Sequence, residues 1–151
     1  MKKITDYSGF DFLIIDDQDV VRNILRGFLF KIGITTVEEA SDGTEAMRIL
    51  ERFTPTAILC DIDMKPMNGF DFLQTLRTSS LGARHSPVIM LTSHSDTRFV
   101  EAAKAFRVDG YLVKPFNGPR LKAVVDKILE GRPKVDGVDR LRKYLAASAP
   151  E

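Results

Sequence analysis

The chain has 151 residues, with 22 Lys and Arg against 21 Asp and Glu and a formal net charge of +1. That is the length of one ordinary domain burying roughly 70% of its unfolded surface, and 44% hydrophobic with 28% charged residues excludes wholesale disorder. The near-neutral charge leaves no basic footprint for DNA or an anionic membrane, and the single cysteine, Cys60, excludes an internal disulfide framework.

Apolar runs such as 12–15 and 88–91 are far shorter than the roughly 18 residues that a membrane span needs. Met1, Lys2 and Lys3 are followed by Asp6 and Asp11, which interrupt any signal-peptide core. The expectation is a cytoplasmic protein without membrane insertion.

Residues 10–15 (FDFLII) form a short apolar run that stops at Asp16 and Asp17, which predicts a buried strand. From 19 to 32, Val21, Ile24, Leu25, Phe28, Leu29 and Ile32 recur at helical spacing, and Gly33 is a natural stop. A weaker strand follows at 34–39. Ser41 or Asp42 can cap a helix running to about Phe53, with Ala46, Ile49, Leu50 and Phe53 inward. Residues 56–60 form the next strand, ended by Asp61, and a loop with Pro66 and Gly69 leads to a helix near 70–77.

The alternation continues with a strand at 87–91 ended by Thr92. A helix started by Ser95 or Asp96 then carries Phe99, Val100, Ala103 and Phe106. A short strand at 111–113 ends at Lys114 and Pro115, and a last helix at about 119–129 turns Leu121, Val124, Val125 and Ile128 inward. Five strand–helix units predict an α/β fold with helices on both faces of a parallel sheet. Right-handed crossovers favour the flavodoxin-like doubly wound strand order 2-1-3-4-5. The expected organisation is an N-terminal extension at 1–8, one domain at 9–131 and a tail at 132–151. In the tail, Val138, Leu141 and Leu145 fall on one side of a short helix, although disorder is an equal reading.

Ligands of such sheets bind at the carboxyl ends of the strands, at the switch point between the first and third. Asp16, Asp17, Asp61, Thr92 and Lys114 all fall at that rim. Helix capping would account for one aspartate per turn, but not for a lysine and a threonine converging on the same place. Two carboxylates 4 Å apart repel by about 1 kcal/mol in water and about 4 kcal/mol at an effective dielectric of 20. Either one carboxyl holds a proton, or a hard divalent cation sits among them. Oxygen ligands favour Mg²⁺, with Mn²⁺ as the alternative, over zinc. A cation beside a lysine and a hydroxyl suits phosphoryl handling, and an aspartate can itself accept the group as an acyl phosphate.

The segments LIIDDQ (13–18), ILCDIDMKPMNGFDFL (58–73), VIMLTS (88–93) and YLVKPF (111–116) resemble the receiver domain of two-component response regulators, over about residues 8–131. The resemblance implies a chemotaxis-type or phosphorelay receiver that takes a phosphoryl group on Asp61 from a histidine kinase or phosphotransfer protein. It further implies Mg²⁺ on Asp16, Asp17, Asp61 and the Asp63 backbone carbonyl, and phosphoryl contacts from Thr92 and Lys114. It implies an inward swing of Tyr111, tuning of acyl-phosphate lifetime by Asp63 and His94, and a cis Lys114–Pro115 bond. The loop Met64–Lys65–Pro66–Met67 departs from the family, whose proline directly follows the methionine.

Residues 58–63 also fit the D-x-D pattern of haloacid-dehalogenase phosphatases. In that family, however, the nucleophile lies on the first strand and the acidic pair comes last. A receiver-like module that works without phosphorylation is a third reading, against which the complete acidic set counts. With only about 20 residues after Gly131, the expected output is a protein contact rather than DNA binding. The expected face lies near Arg98, Lys104, Arg107, Tyr111 and Lys122 of a monomer or weak homodimer that is a signalling protein rather than an enzyme.

Overall fold

The computed structural model describes residues 3–93 and 97–132, without the side chains of 97–100. Five parallel strands, β1 (Asp11–Ile15), β2 (Thr36–Ala40), β3 (Ala57–Asp61), β4 (Val88–Thr92) and β5 (Gly110–Val113), form one sheet in the order β2-β1-β3-β4-β5. The helices are α1 (Asp19–Ile32), α2 (Gly43–Leu50), α3 (Gly69–Arg77), α4 (Thr97–Ala105) and α5 (Gly118–Leu129). The predicted fold class and strand order are those observed.

The strands read as continuous apolar runs because both faces of the sheet are covered. Phe12 and Ile14 on one face of β1 join Leu25 and Leu29 of α1 and Leu121 and Val125 of α5 in one core cluster. Leu13 and Ile15 on the other face join Ile49 and Leu50 of α2 and Phe72 and Leu76 of α3 in a second. All ten residues of β1 and β3 are buried.

Helix termini follow local chemistry. Gly33 stops α1 in the left-handed region at φ 106°, which a Cβ would strain. Asp42, rather than Ser41, caps α2 by accepting from the Glu45 N–H, while the Glu45 carboxylate accepts from the backbone N–H and the hydroxyl of Ser41. Asn68 and Asn117 cap α3 and α5 by accepting from the Asp71 and Arg120 N–H groups.

Some expectations need correction. Helix α2 ends at Leu50, and a turn brings Phe53 back against the second cluster. A 3₁₀ turn at Gly82–His85, too short to show a periodicity, precedes β4. Ile24 is half-exposed, because the inward stripe of α1 is centred on Leu25 and Leu29 and leaves position 24 on the flank. Ahead of β1, Tyr7 and Phe10 are buried in the first cluster, and the Tyr7 hydroxyl donates to Asp126 of α5 at 2.5 Å. The initiating positions of α4 (Ser95, Asp96), the side chains of Phe99 and Val100, and the proposed tail helix lie outside the described residues.

Candidate functional site at the carboxyl rim of the sheet

From β1 the chain crosses through α1 to β2 on one side, and from β3 it crosses through α3 to β4 on the other, so a crevice opens where strand order reverses. Asp61 is the last residue of β3 and Asp16 the first after β1; both are buried, whereas Asp17 is exposed. One carboxylate oxygen from each of Asp16, Asp17 and Asp61 lies within 4.8 Å of the others. Lys114 reaches in from the end of β5, its Nζ 3.4 Å from Asp61 Oδ1 and 3.6 Å from Asp16 Oδ2. Thr92 ends β4 fully buried, level with Val113, and its carbonyl accepts from the Lys114 N–H at 2.6 Å.

Burial is the largest influence on both buried carboxyls. It pushes Asp61 up to about 6 with help from Asp16, while Lys114 and the Asp63 backbone N–H work the other way. Asp16 is also raised, by burial and by Asp17, against the lowering effects of the Gln18 N–H and Lys114. Asp16 Oδ1 accepts from the Gln18 N–H at 2.9 Å, whereas Oδ2 is buried without a hydrogen bond. A buried oxygen in that state, next to two more carboxylates, is a site short of positive charge. An all-oxygen donor set at such spacing fits a hard divalent cation such as Mg²⁺.

The loop after β3 holds Asp61 against the rim. Gly69 N–H donates to Ile62 O at 2.9 Å, and a Cβ at Gly69 would stand 2.6 Å from Asp61 O and 2.9 Å from Ile62 Cα. The glycine is therefore part of the site's construction. Asp63 is exposed on this loop, and Met67 folds back so that its thioether packs over Gly43 at the start of α2. Lys114–Pro115 is cis, and so is Lys65–Pro66 in the loop whose proline position departs from the family.

Tyr111 is half-buried on β5, among partly buried groups that include Phe106 and Phe70. These two rings stack with centroids 5.1 Å apart. Lys104 and Arg107 are exposed beside this edge. Lys122 lies on the other flank of α5: it binds Asp126 at 2.7 Å and sits 5.6 Å over the Tyr7 ring, whereas Val124 is the residue that faces Gly110 of β5. His94 and the Arg98 side chain lie outside the described residues. Cys60 is buried and its thiol is pushed well up by burial and by Asp61, which leaves it inert core. Among the described residues no helix is long and apolar enough to cross a membrane.

Comparison with known proteins agrees with this geometry. Residues 12–126 match the family described as the response regulator receiver domain. The chain is 36% identical over 119 residues to chemotaxis protein CheY-3 of Vibrio cholerae, covering 78% of this chain and 90% of that one. Its fold matches the structure of chemotaxis protein CheY4 of Vibrio cholerae with a TM-score of 0.75 and 30% identity, over 81% of this chain and all of that one. It also matches the receiver domain of sensor histidine kinase PA1611 from Pseudomonas aeruginosa, a structure with magnesium coordinated in its active-site cleft. That match has a TM-score of 0.73 and 25% identity, over 82% of this chain and 100% of that one.

Proposed function

The chain belongs to the response-regulator receiver family, a family of signalling domains, and on that premise we propose that it accepts a phosphoryl group on Asp61 from the phosphohistidine of a kinase or phosphotransfer protein. The observation that carries this reading is the convergence of Asp16, Asp17 and Asp61 within 4.8 Å, with Lys114 Nζ against two of them. Family membership sets aside the haloacid-dehalogenase resemblance.

A carboxylate oxygen of Asp61 attacks phosphorus in line; the phosphorus–nitrogen bond of the donor breaks, and its electron pair stays on the imidazole. Lys114 and Thr92 meet the equatorial oxygens of the group in flight. Asp16, Asp17, Asp61 and the Asp63 carbonyl would hold Mg²⁺ or Mn²⁺, which when bound supplies charge neutralisation for the phosphoryl oxygens. Magnesium in the cleft of the PA1611 receiver supports that assignment. Val20 and Ile24, exposed on α1 beside the opening, offer the donor an apolar landing patch. Asp63 and His94 tune how fast the acyl phosphate hydrolyses. The setting is the cytoplasm.

Phosphorylation adds about two negative charges at the rim. Thr92 turns toward them, and Tyr111 fills the space behind it. The surface of α4, β5 and the Val124 flank of α5, with Lys104 and Arg107, then binds a downstream protein with altered affinity. A coupling of a few kcal/mol suffices.

Nuclear magnetic resonance with Mg²⁺ and beryllofluoride, a phosphoryl mimic, tests this reading. Amide shifts should spread from Asp61 and Lys114 through Thr92 to Tyr111. Shifts that stop at the rim would contradict the relay, and the absence of shifts would contradict the acceptor assignment.

A further inference from the structure

Arg22, in the first turns of α1, points back toward the acidic turn rather than out to solvent, with its side chain only 15% exposed. Its Nη1 donates to the backbone carbonyl of Asp16 at 2.5 Å, and its Nη2 pairs with the carboxylate of Asp19. Its Nε stands 3.4 Å from Oε1 of Glu39, near the end of β2. The Asp16 N–H, in turn, donates to Ala40 O at 3.1 Å. The peptide groups on both sides of the Asp16 Cα are therefore tied down, one by the edge strand and one by Arg22. The Gln18 N–H occupies Oδ1 and leaves Oδ2 aimed into the acidic cluster.

Charge is not what Arg22 brings to the cluster. Asp19 and Glu39 face its guanidinium, and the cation facing the Asp16 carboxylate is Lys114. What the guanidinium supplies is a planar fork that serves a carbonyl and two carboxylates at once, a geometry that an ammonium group cannot reproduce. Without it the buried Asp16 carbonyl loses its donor, and the turn that carries Asp16 and Asp17 is free to relax.

We infer that Arg22 is a positioning residue for the divalent-cation site: it holds the Asp16–Asp17 turn from behind so that both carboxylates converge on Asp61. This rests on the reading of the acidic cluster as a cation site. Its consequence is specific: cation affinity depends on Arg22, whereas the phosphoryl step with the cation in place does not.

The test is calorimetric titration of the full chain with MgCl₂, comparing wild type with Arg22→Met and Arg22→Lys. Each variant is checked by far-UV circular dichroism and then assayed for acetyl-phosphate phosphorylation across Mg²⁺ concentrations. Partners that orient metal ligands are typically worth about 10–100-fold in affinity. Both variants should therefore bind Mg²⁺ about tenfold more weakly and phosphorylate at close to the wild-type rate once Mg²⁺ saturates. Folded variants with wild-type Mg²⁺ affinity would overturn the inference. So would rescue by Arg22→Lys, which would make the effect one of charge, or an equal loss in affinity and in saturated rate. Should Arg22→Met fail to fold, Arg22→Lys decides alone. Wild type that binds no Mg²⁺ would instead overturn the cation-site reading beneath it.

Discussion

Lys114 and Asp61 meet across β4: from the end of β5, Nζ stands 3.4 Å from an Asp61 oxygen at the end of β3. Lys114 is the cation that offsets the burial of Asp61, so its removal should push the Asp61 carboxyl above its value of about 6. In Lys114→Met, carboxyl-carbon NMR should report that upward move. Phosphorylation from acetyl phosphate should fall about 100-fold, in line with the loss of one donor to a developing anion. An unmoved carboxyl would mean that the lysine does not act on Asp61.

The raised carboxyl has a sign that can be checked in metal-free buffer. Burial favours the neutral form, so between the ordinary value of 3.8 and about 6 the folded chain binds more protons than the unfolded chain. On this account stability is highest below pH 4, falls as pH rises, and levels off at its lowest above about 6. Asp61→Asn should remove that slope and raise stability at pH 7 by about 3 kcal/mol, since the distance from 3.8 to about 6 is worth about 1.4 kcal/mol per unit. Urea melts at pH 4, 5, 6 and 7 measure it; parallel slopes in wild type and variant would count against a strained acceptor.

Gly69→Ala puts a methyl group against backbone, 2.6 Å from Asp61 O, where nothing can swing aside. Overpacking of this kind costs about 1–3 kcal/mol. The expected outcome is a lower melting temperature together with slower phosphorylation at saturating Mg²⁺. A variant with wild-type stability and rate would show that the loop yields without moving Asp61.

Arg107 holds φ 59° just after α4, where the Val108 N–H returns to Ala103 O and the Arg107 N–H to Lys104 O. This is a left-handed helix stop that glycine fills without strain. The conformation costs an L-residue about 1–2 kcal/mol, and the greater freedom of glycine in the unfolded chain returns about 0.4–1 kcal/mol. Arg107→Gly should therefore raise the melting temperature by roughly 1–3 °C; a fall would show that the arginine side chain stabilises this turn.

Much of this site could be read from residue order. Asp16, Asp61, Thr92 and Lys114 each stand where an apolar run stops, and a parallel sheet lines up its strand ends without any long-range information. Whatever depends on distant contact was hidden. Tyr7 finds Asp126 across 119 positions of chain, and nothing near Tyr7 distinguishes it from a residue of a free terminus. Lys122 belongs to the same helix as Val124, yet Tyr7 and Asp126 hold it on the flank away from β5. Arg22 lies within the helical pattern of α1 and reads as a solvated charge until its carbonyl partner is seen. Gly69 reads as an ordinary loop glycine, and only the fold shows the backbone it must clear.

The central claim is that Asp61 accepts the phosphoryl group. Intact-mass analysis and peptide mapping after incubation with Mg²⁺ and acetyl phosphate test it most directly, with Asp61→Asn in parallel. The account predicts a single magnesium-dependent phosphoryl adduct that maps to Asp61 and is absent from the variant. An adduct on another residue, one that persists in Asp61→Asn, or none from either acetyl phosphate or a phosphorylated histidine donor would contradict it.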